Sequence, residues 1–179
     1  MALPMKLALL TALVVVFCTT TTTTEAAKRK QTLTRIQFYL HEIRAGPKPS
    51  VVRVAGRPNF TSPNPILASF GSISIMDNPL LATPNPKSLP IGRAQGLFAL
   101  SSMEEISILM SATYIFTAGP YNGSSFSLLG RNPALEPLRE IPIVGGTGVF
   151  RLARGYCFVR THAMSQTDAM IGYNVTLIY

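Results

Sequence analysis

The chain has 179 residues, with 16 Lys and Arg against 8 Asp and Glu, two histidines, two cysteines and no tryptophan. That length allows a single domain with its own core. A formal charge of +8 suits an acidic polysaccharide or an anionic surface, while the scattered arginines speak against nucleic acid and the scarcity of His and Cys against a zinc site.

In chain order, Lys6 precedes an apolar run over 7–17 broken only by Thr11, and small residues follow. The run is shorter than the ~20 residues a spanning helix needs, and the pattern is that of a secretory signal. The expectation is a leader over 1–26, cut after Ala26, and one domain over 27–179. No later segment is apolar enough to cross a membrane. Cys18 leaves with the leader, and Cys157, in an apolar stretch, reads as a small buried hydrophobe. Lys6 and Glu25 leave together, so the charge is unchanged, and Lys28-Arg29-Lys30 reads as a solvated new terminus. Sequons at Asn59, Asn122 and Asn174 agree with export and N-glycosylation.

Strands are predicted at 34–43, 68–77, 92–101, 106–116, 124–130, 140–144, 148–160 and 169–179, where short apolar or alternating runs are punctuated by Gly, Pro and Asn. A long loop is predicted over 45–65, and the Pro-rich 78–90 is expected to end the second strand. In the fourth strand Ile106, Ile108, Met110, Tyr114 and Phe116 share one face; in the eighth, Ile171, Tyr173, Val175, Leu177 and Tyr179 do. Asn122-Gly123 predicts a hairpin turn with positive φ at both residues. The cluster "GGTG" at 145–148 is followed by "VFRLARGYCFVR" rather than a capped helix, and the third glycine of a dinucleotide fingerprint would fall on Arg151. It reads as a turn whose glycines supply positive φ, not as a phosphate cradle. No Walker loop and no G-x-S-x-G elbow occurs.

Eight short strands predict an all-β fold. A closed eight-stranded antiparallel barrel removes every edge and is wide enough for one small ligand; a two-sheet sandwich fits the same alternation. In the first strand Phe38, Leu40 and Glu42 lie on one face and Tyr39 and His41 on the other, and the pattern leaves open which face looks inward. If the first does, Glu42 is a carboxylate in an apolar cavity, the setting that makes general acids.

The blocks "FYLHEI", "FGSISIMDNPL", "IGRAQGLF", "YNGSSFSLLGRN", "REIPIVGGTGVFRLARGY" and "YNVTLIY" follow one another over 34–179. In these blocks the chain resembles the plant dirigent proteins, and its "GRN" is similar to the broader branch rather than the pinoresinol-forming one. The resemblance implies an allene-oxide-cyclase-like barrel with a lipocalin-like cavity, secreted to the apoplast, glycosylated, and homo-oligomeric as a dimer or trimer. It implies binding of a small phenolic, a monolignol radical or a quinone methide. The implied function is stereoselective phenoxy-radical coupling of phenylpropanoids, such as coniferyl alcohol, into optically active lignans. An external oxidase or peroxidase would supply the radicals, and neither a metal nor an organic cofactor is implied. The protein would act by orientation.

Carried over residue by residue, the resemblance makes Glu42 and Arg139 the expected catalytic residues and Phe98, Leu100, Asn132 and Thr161 the expected pocket. Glu42 stands where lignan-forming members carry aspartate, and Asn132 where they carry a second acid. Phe98 and Leu100 replace a tyrosine and a further aromatic, Thr161 matches a pocket threonine, Arg139 is retained, and the family's cysteine pair is absent. Asn132 and Phe98 weigh against pinoresinol-type coupling. Two alternatives therefore stand beside it: a lyase that dehydrates an isoflavanol to a pterocarpan, and a non-catalytic cell-wall protein that binds phenolics.

Overall fold

The computed structural model describes residues 31–57 and 61–179. The expected leader and the Asn59 sequon lie outside the described residues. Alternating runs form nine strands there: β1 (Leu33–Ile43), β2 (Val51–Ala55), β3 (Ile73–Leu81), β4 (Pro90–Leu100), β5 (Ser107–Phe116), β6 (Ser125–Pro133), β7 (Arg139–Thr147), β8 (Arg154–Met164) and β9 (Asp168–Ile178). One short helix, α1 (Pro65–Ser69), precedes β3.

Hydrogen bonding runs in the order β1-β9-β8-β7-β6-β5-β4-β3, and the pairs Tyr39–Leu81 and Leu40–Leu80 join β1 back to β3. The result is a closed antiparallel barrel of eight strands, not a sandwich. Closure pairs the edges that an open sheet would expose.

The ninth strand, β2, occupies the stretch expected to be a loop. It lies along the same edge of β3 as β1 does, pairing Val51 with Met76 and Val52 with Ile75. The first barrel strand is thus broken in two, and Ser50 pins the break: its N–H donates to the Ile43 carbonyl (2.8 Å), and its carbonyl accepts from Asp77 N (2.8 Å). The break also explains why Pro79 fails to end β3. Asp77 turns its N–H towards the broken edge, so Pro79, two residues on, places its missing N–H there too, at no cost to the ladder. The onset of that strand is later than predicted because Asn64 caps α1, accepting from Ile66 N at 2.9 Å, with Pro65 at its first turn.

Two turns differ in detail from expectation. Asn122 has φ −49° and only Gly123 is positive (φ 79°), so the β5–β6 turn is of type II. In the glycine cluster, β7 runs through Gly145, Gly146 and Thr147, only Gly148 takes positive φ (62°), and β8 starts at Arg154.

One end of the barrel is filled by aromatic rings. Phe38 stacks on Tyr173 (5.4 Å), Tyr114 on Phe126 (4.9 Å), and Phe116 meets Phe150 edge-on (6.1 Å). All six are essentially excluded from solvent. Such contacts add to the burial of each ring. Phe126→Ala is expected to lower unfolding free energy by about 3–5 kcal/mol, read as a fall in the denaturant midpoint at constant slope; a loss below 1 kcal/mol would show that the stack repacks.

On the outside, Val52, Ile75, Leu97 and Leu129 are exposed along one cross-strand row through β2, β3, β4 and β6, with Ser111 of β5 between the last two. Leu109 adds to this apolar face.

Candidate functional site

At the barrel end opposite the aromatic plug, the inward side chains leave a cavity of about 240 Å³. Its polar groups fall on facing walls. In the ring order β6 lies opposite β1, and β7 opposite β3. Glu42 from β1 and Asn78 from β3 form one wall; Asn132 from β6, Arg139 from β7 and Thr161 from β8 form the other. Leu40, Phe98, Leu100, Ile108, Met110 and Ile171 make the apolar waist between them. All six residues expected at the site therefore line one cavity.

The open question about the first strand is settled by its outer face. Tyr39 meets His162 edge-on at 5.1 Å, and His41 Nε2 lies 3.2 Å from Asp168 Oδ2. Hydrogen bonds from Ser165 and His41 hold the Asp168 carboxyl below its ordinary range. Glu42 consequently points inward. Its side chain is 13% exposed, and Arg44 Nε donates to its Oε1 at 2.6 Å.

Arg139 faces it from a far drier setting. The residue is 4% exposed, and Nη1 donates to Ala134 O (3.0 Å), Glu136 O (3.3 Å) and Thr161 Oγ1 (2.9 Å). None of those acceptors carries a charge. Among the described residues no carboxylate pairs with the guanidinium, and Nε has no partner. Burial lowers its pKa, opposed by the nearby Tyr173 phenol, yet an arginine stays protonated at neutral pH. The site therefore holds a positive charge with no counter-charge recorded among the described residues.

Asn132 is similarly incomplete. It is 7% exposed, its Nδ2 reaches only Met110 Sδ (3.9 Å), and its Oδ1 has no partner. A buried polar atom left so costs about 1–3 kcal/mol, so a ligand or water that satisfies it is favoured. Burial pushes the Tyr114 and Tyr173 phenols up and the Cys157 thiol up to about 12, consistent with its reading as a small buried hydrophobe. Among the described residues no group of three His, Cys, Asp or Glu could hold a metal ion, and no helix is long and apolar enough to cross a membrane.

The sequence reading missed Asn78, Arg44 and Tyr173 as lining residues. Asn78 fell in the stretch assigned to a strand end; the inward alternation Met76, Asn78, Leu80 was the signal available. Tyr173 was placed on the shared apolar face of its strand but not at the cavity. The sequons at Asn122 and Asn174 both expose their asparagine, the first on the β5–β6 turn and the second on the outer face of β9.

The described residues thus form a closed antiparallel barrel with an apolar cavity that carries a carboxylate and a guanidinium on facing walls. The chain belongs to the dirigent family, whose description is dirigent-like protein and which matches residues 33–178. Dirigent protein 23 of Arabidopsis thaliana is 43% identical over 152 residues, covering 84% of this chain and 80% of that protein. Pterocarpan synthase 1 of Glycine max is 42% identical over 150 residues, covering 82% and 79%. The solved structure of the pterocarpan synthase dirigent protein GePTS1 superposes with a TM-score of 0.76 at 39% identity, over 83% of this chain and 86% of that one.

Proposed function

We propose that the chain binds one phenolic intermediate, a monolignol radical or a quinone methide, and fixes which of its faces reacts, while an external oxidase or peroxidase makes the radicals. The observation that carries this reading is the cavity itself, apolar at its waist and polar on facing walls. Its 240 Å³ compares with the ~150 Å³ cavity that holds a benzene, so it takes one ring with its side chain. Glu42 serves proton transfer as the intermediate closes, and Arg139 steadies the oxygen on which negative charge develops. Fixing a face needs little energy, since about 1.4 kcal/mol between pathways gives tenfold preference.

The test is chiral analysis of products from coniferyl alcohol and a one-electron oxidant, with and without the protein. A protein-dependent enantiomeric excess supports the reading. Racemic products in both sink it.

A second reading rests on the 42% identity to a pterocarpan synthase. Here Glu42 would protonate the leaving hydroxyl of an isoflavanol, water would depart as a ring phenol loses its proton to solvent and leaves a quinone methide, and the second phenolic hydroxyl would add to close the ring, its proton returning to Glu42 while the first phenolate regains one from solvent. Product formed without oxidant distinguishes it. Binding without any change in product would leave a phenolic-binding wall protein.

The leader over 1–26 and the exposed sequons support secretion to the apoplast and glycosylation at Asn122 and Asn174, with Asn59 the third candidate. The exposed row of Val52, Ile75, Leu97 and Leu129 supports self-association as a dimer or trimer, since faces of this kind mark interfaces. Leu97→Glu is expected to give a folded monomer by light scattering. An unchanged oligomer mass would move the interface elsewhere.

A further inference from the structure

We infer that the outer face of β8, β9 and β1 is a cradle for the N-glycan carried by Asn174, with the first N-acetylglucosamine resting on the Phe158 ring. This rests on the reading of Asn174 as a glycosylation site and goes beyond it by giving the sugar a seat and a structural role.

The strand register places the acceptor beside the seat. Asn174 stands in β9 directly opposite Phe158 of β8 and Gln37 of β1. Residues so paired lie on one face with Cβ atoms ~5 Å apart, and Asn174 is exposed there. All three line one groove of about 430 Å³, shared with Arg160, His162 and Gly172. Gly172 shapes its end. A Cβ there would come within 2.8 Å of His162 Cδ2, so the absent side chain lets that ring lie down across β9, edge-on to Tyr39 at 5.1 Å.

The groove has the chemistry of a sugar site. A pyranose has a face of C–H bonds and a rim of hydroxyls. The negative face of an aromatic ring suits the first, and amide and guanidinium groups suit the second. Phe158 supplies the ring, buttressed edge-on at 5.2 Å by Tyr156, itself 37% exposed. Arg160 is exposed and has no ion pair among the described residues. Gln37 Nε2 donates to Tyr39 Oη (3.2 Å), which leaves its carbonyl oxygen to accept from the rim. The covalent tether keeps the sugar at high local concentration, so weak contacts suffice to seat it.

The register also dates the attachment. The sequon hydroxyl belongs to Thr176, which sits between Arg35 and Tyr156 and is 8% exposed. Transfer must therefore precede the seating of β9. The bond from Asn174 Nδ2 to the sugar C1 forms as C1 breaks from a diphosphate-linked donor, and the amide proton passes to solvent. The barrel then closes with the sugar already beside Phe158.

The experiment uses the secreted full chain carrying Asn59→Gln and Asn122→Gln, so that Asn174 keeps the remaining sequon. Mass spectrometry reads its occupancy, and an endoglycosidase trims the glycan to its first N-acetylglucosamine. That single sugar is expected to raise Tm by about 2–4 °C over the Asn174→Gln form, the scale of one ring contact in a domain of this size. In Phe158→Thr the same comparison is expected to give about 1 °C or less. Each comparison stays within one background, so the cost of losing the ring itself cancels. Should the Thr variant fail to fold, proton NMR of the trimmed chain with Phe158 decides. Protons on the sugar ring are expected upfield of their positions in the unfolded chain, as stacking on an aromatic face requires. A Tm gain that survives Phe158→Thr, or sugar protons at their unfolded positions, overturns the cradle and leaves Asn174 a glycosylation site. An unmodified Asn174 overturns both, while sugar on Asn122 of the parent chain would keep the export reading.

Discussion

Arg139→Met is expected to abolish the chiral outcome while leaving the barrel folded. The guanidinium is almost wholly buried, its hydrogen-bond acceptors are all neutral, and one of its nitrogens has no partner. A buried charge in that state pays a desolvation penalty that no carboxylate offsets. The fold itself thus gains little from the charge, and methionine of similar length restores apolar packing. Ala134 and Glu136 lie in the partly exposed β6–β7 connection, where their carbonyls can take water instead. The net change in stability should stay within about 1 kcal/mol, or a shift in Tm of no more than about 4 °C for a domain of this size.

The effect on chemistry is of a different order. Removing one donor aimed at a developing oxyanion in a dry site costs about 10²–10³ in rate. Because coupling in free solution competes and is racemic, a directed path slowed 100-fold leaves an enantiomeric excess near zero. Chiral chromatography of the products beside a thermal melt reads both quantities. A normal melt with preserved enantiomeric excess would remove Arg139 from the site; a collapsed melt would make it a structural residue.

That separation was only half legible in the sequence. Alternation identified β1 and the strands from β3 to β9, and it put on shared faces of β5 and β9 the residues Tyr114, Phe116, Tyr173 and Val175, which the barrel buries. It failed where partners far along the chain decide. Whether Glu42 or His41 looks inward depends on Asp168 and His162, more than a hundred residues away, which hold the outer face of β1. β2 was hidden because its pairing with β3 overrides a polar, glycine- and proline-flanked context. The run through Pro79 was hidden for the same reason: a proline ends a strand only if its missing N–H would have met a partner, and here it meets a break. Asn78 was lost with it. Two of the missed residues, Arg44 and Asn78, thus lie beside the break between β1 and β2, and that is also a wall of the cavity.

Glu42→Gln is expected to cut product formation by about 10²–10⁴ with little change in ligand affinity, the loss expected for a positioned proton donor or acceptor. The substitution keeps the shape and one carbonyl acceptor, so a phenolic hydroxyl still has a partner at that wall. It removes the ion pair with Arg44, whose side chain is 37% exposed; a pair so open to water is worth less than about 1 kcal/mol, and the fold should not register it. What disappears is the carboxyl group that gives or takes a proton at this wall. In the oxidant-free dehydration the fall should appear in kcat with KM nearly constant. In oxidant-driven coupling it should appear as loss of the protein-dependent enantiomeric excess. Glu42→Asp separates position from charge. It restores the carboxylate but draws it back by one methylene, so partial recovery places the proton transfer at this atom and shows that its reach matters. Full activity in Glu42→Gln would instead leave Glu42 as a wall residue held by Arg44, and would assign the directing effect to cavity shape and Arg139 alone.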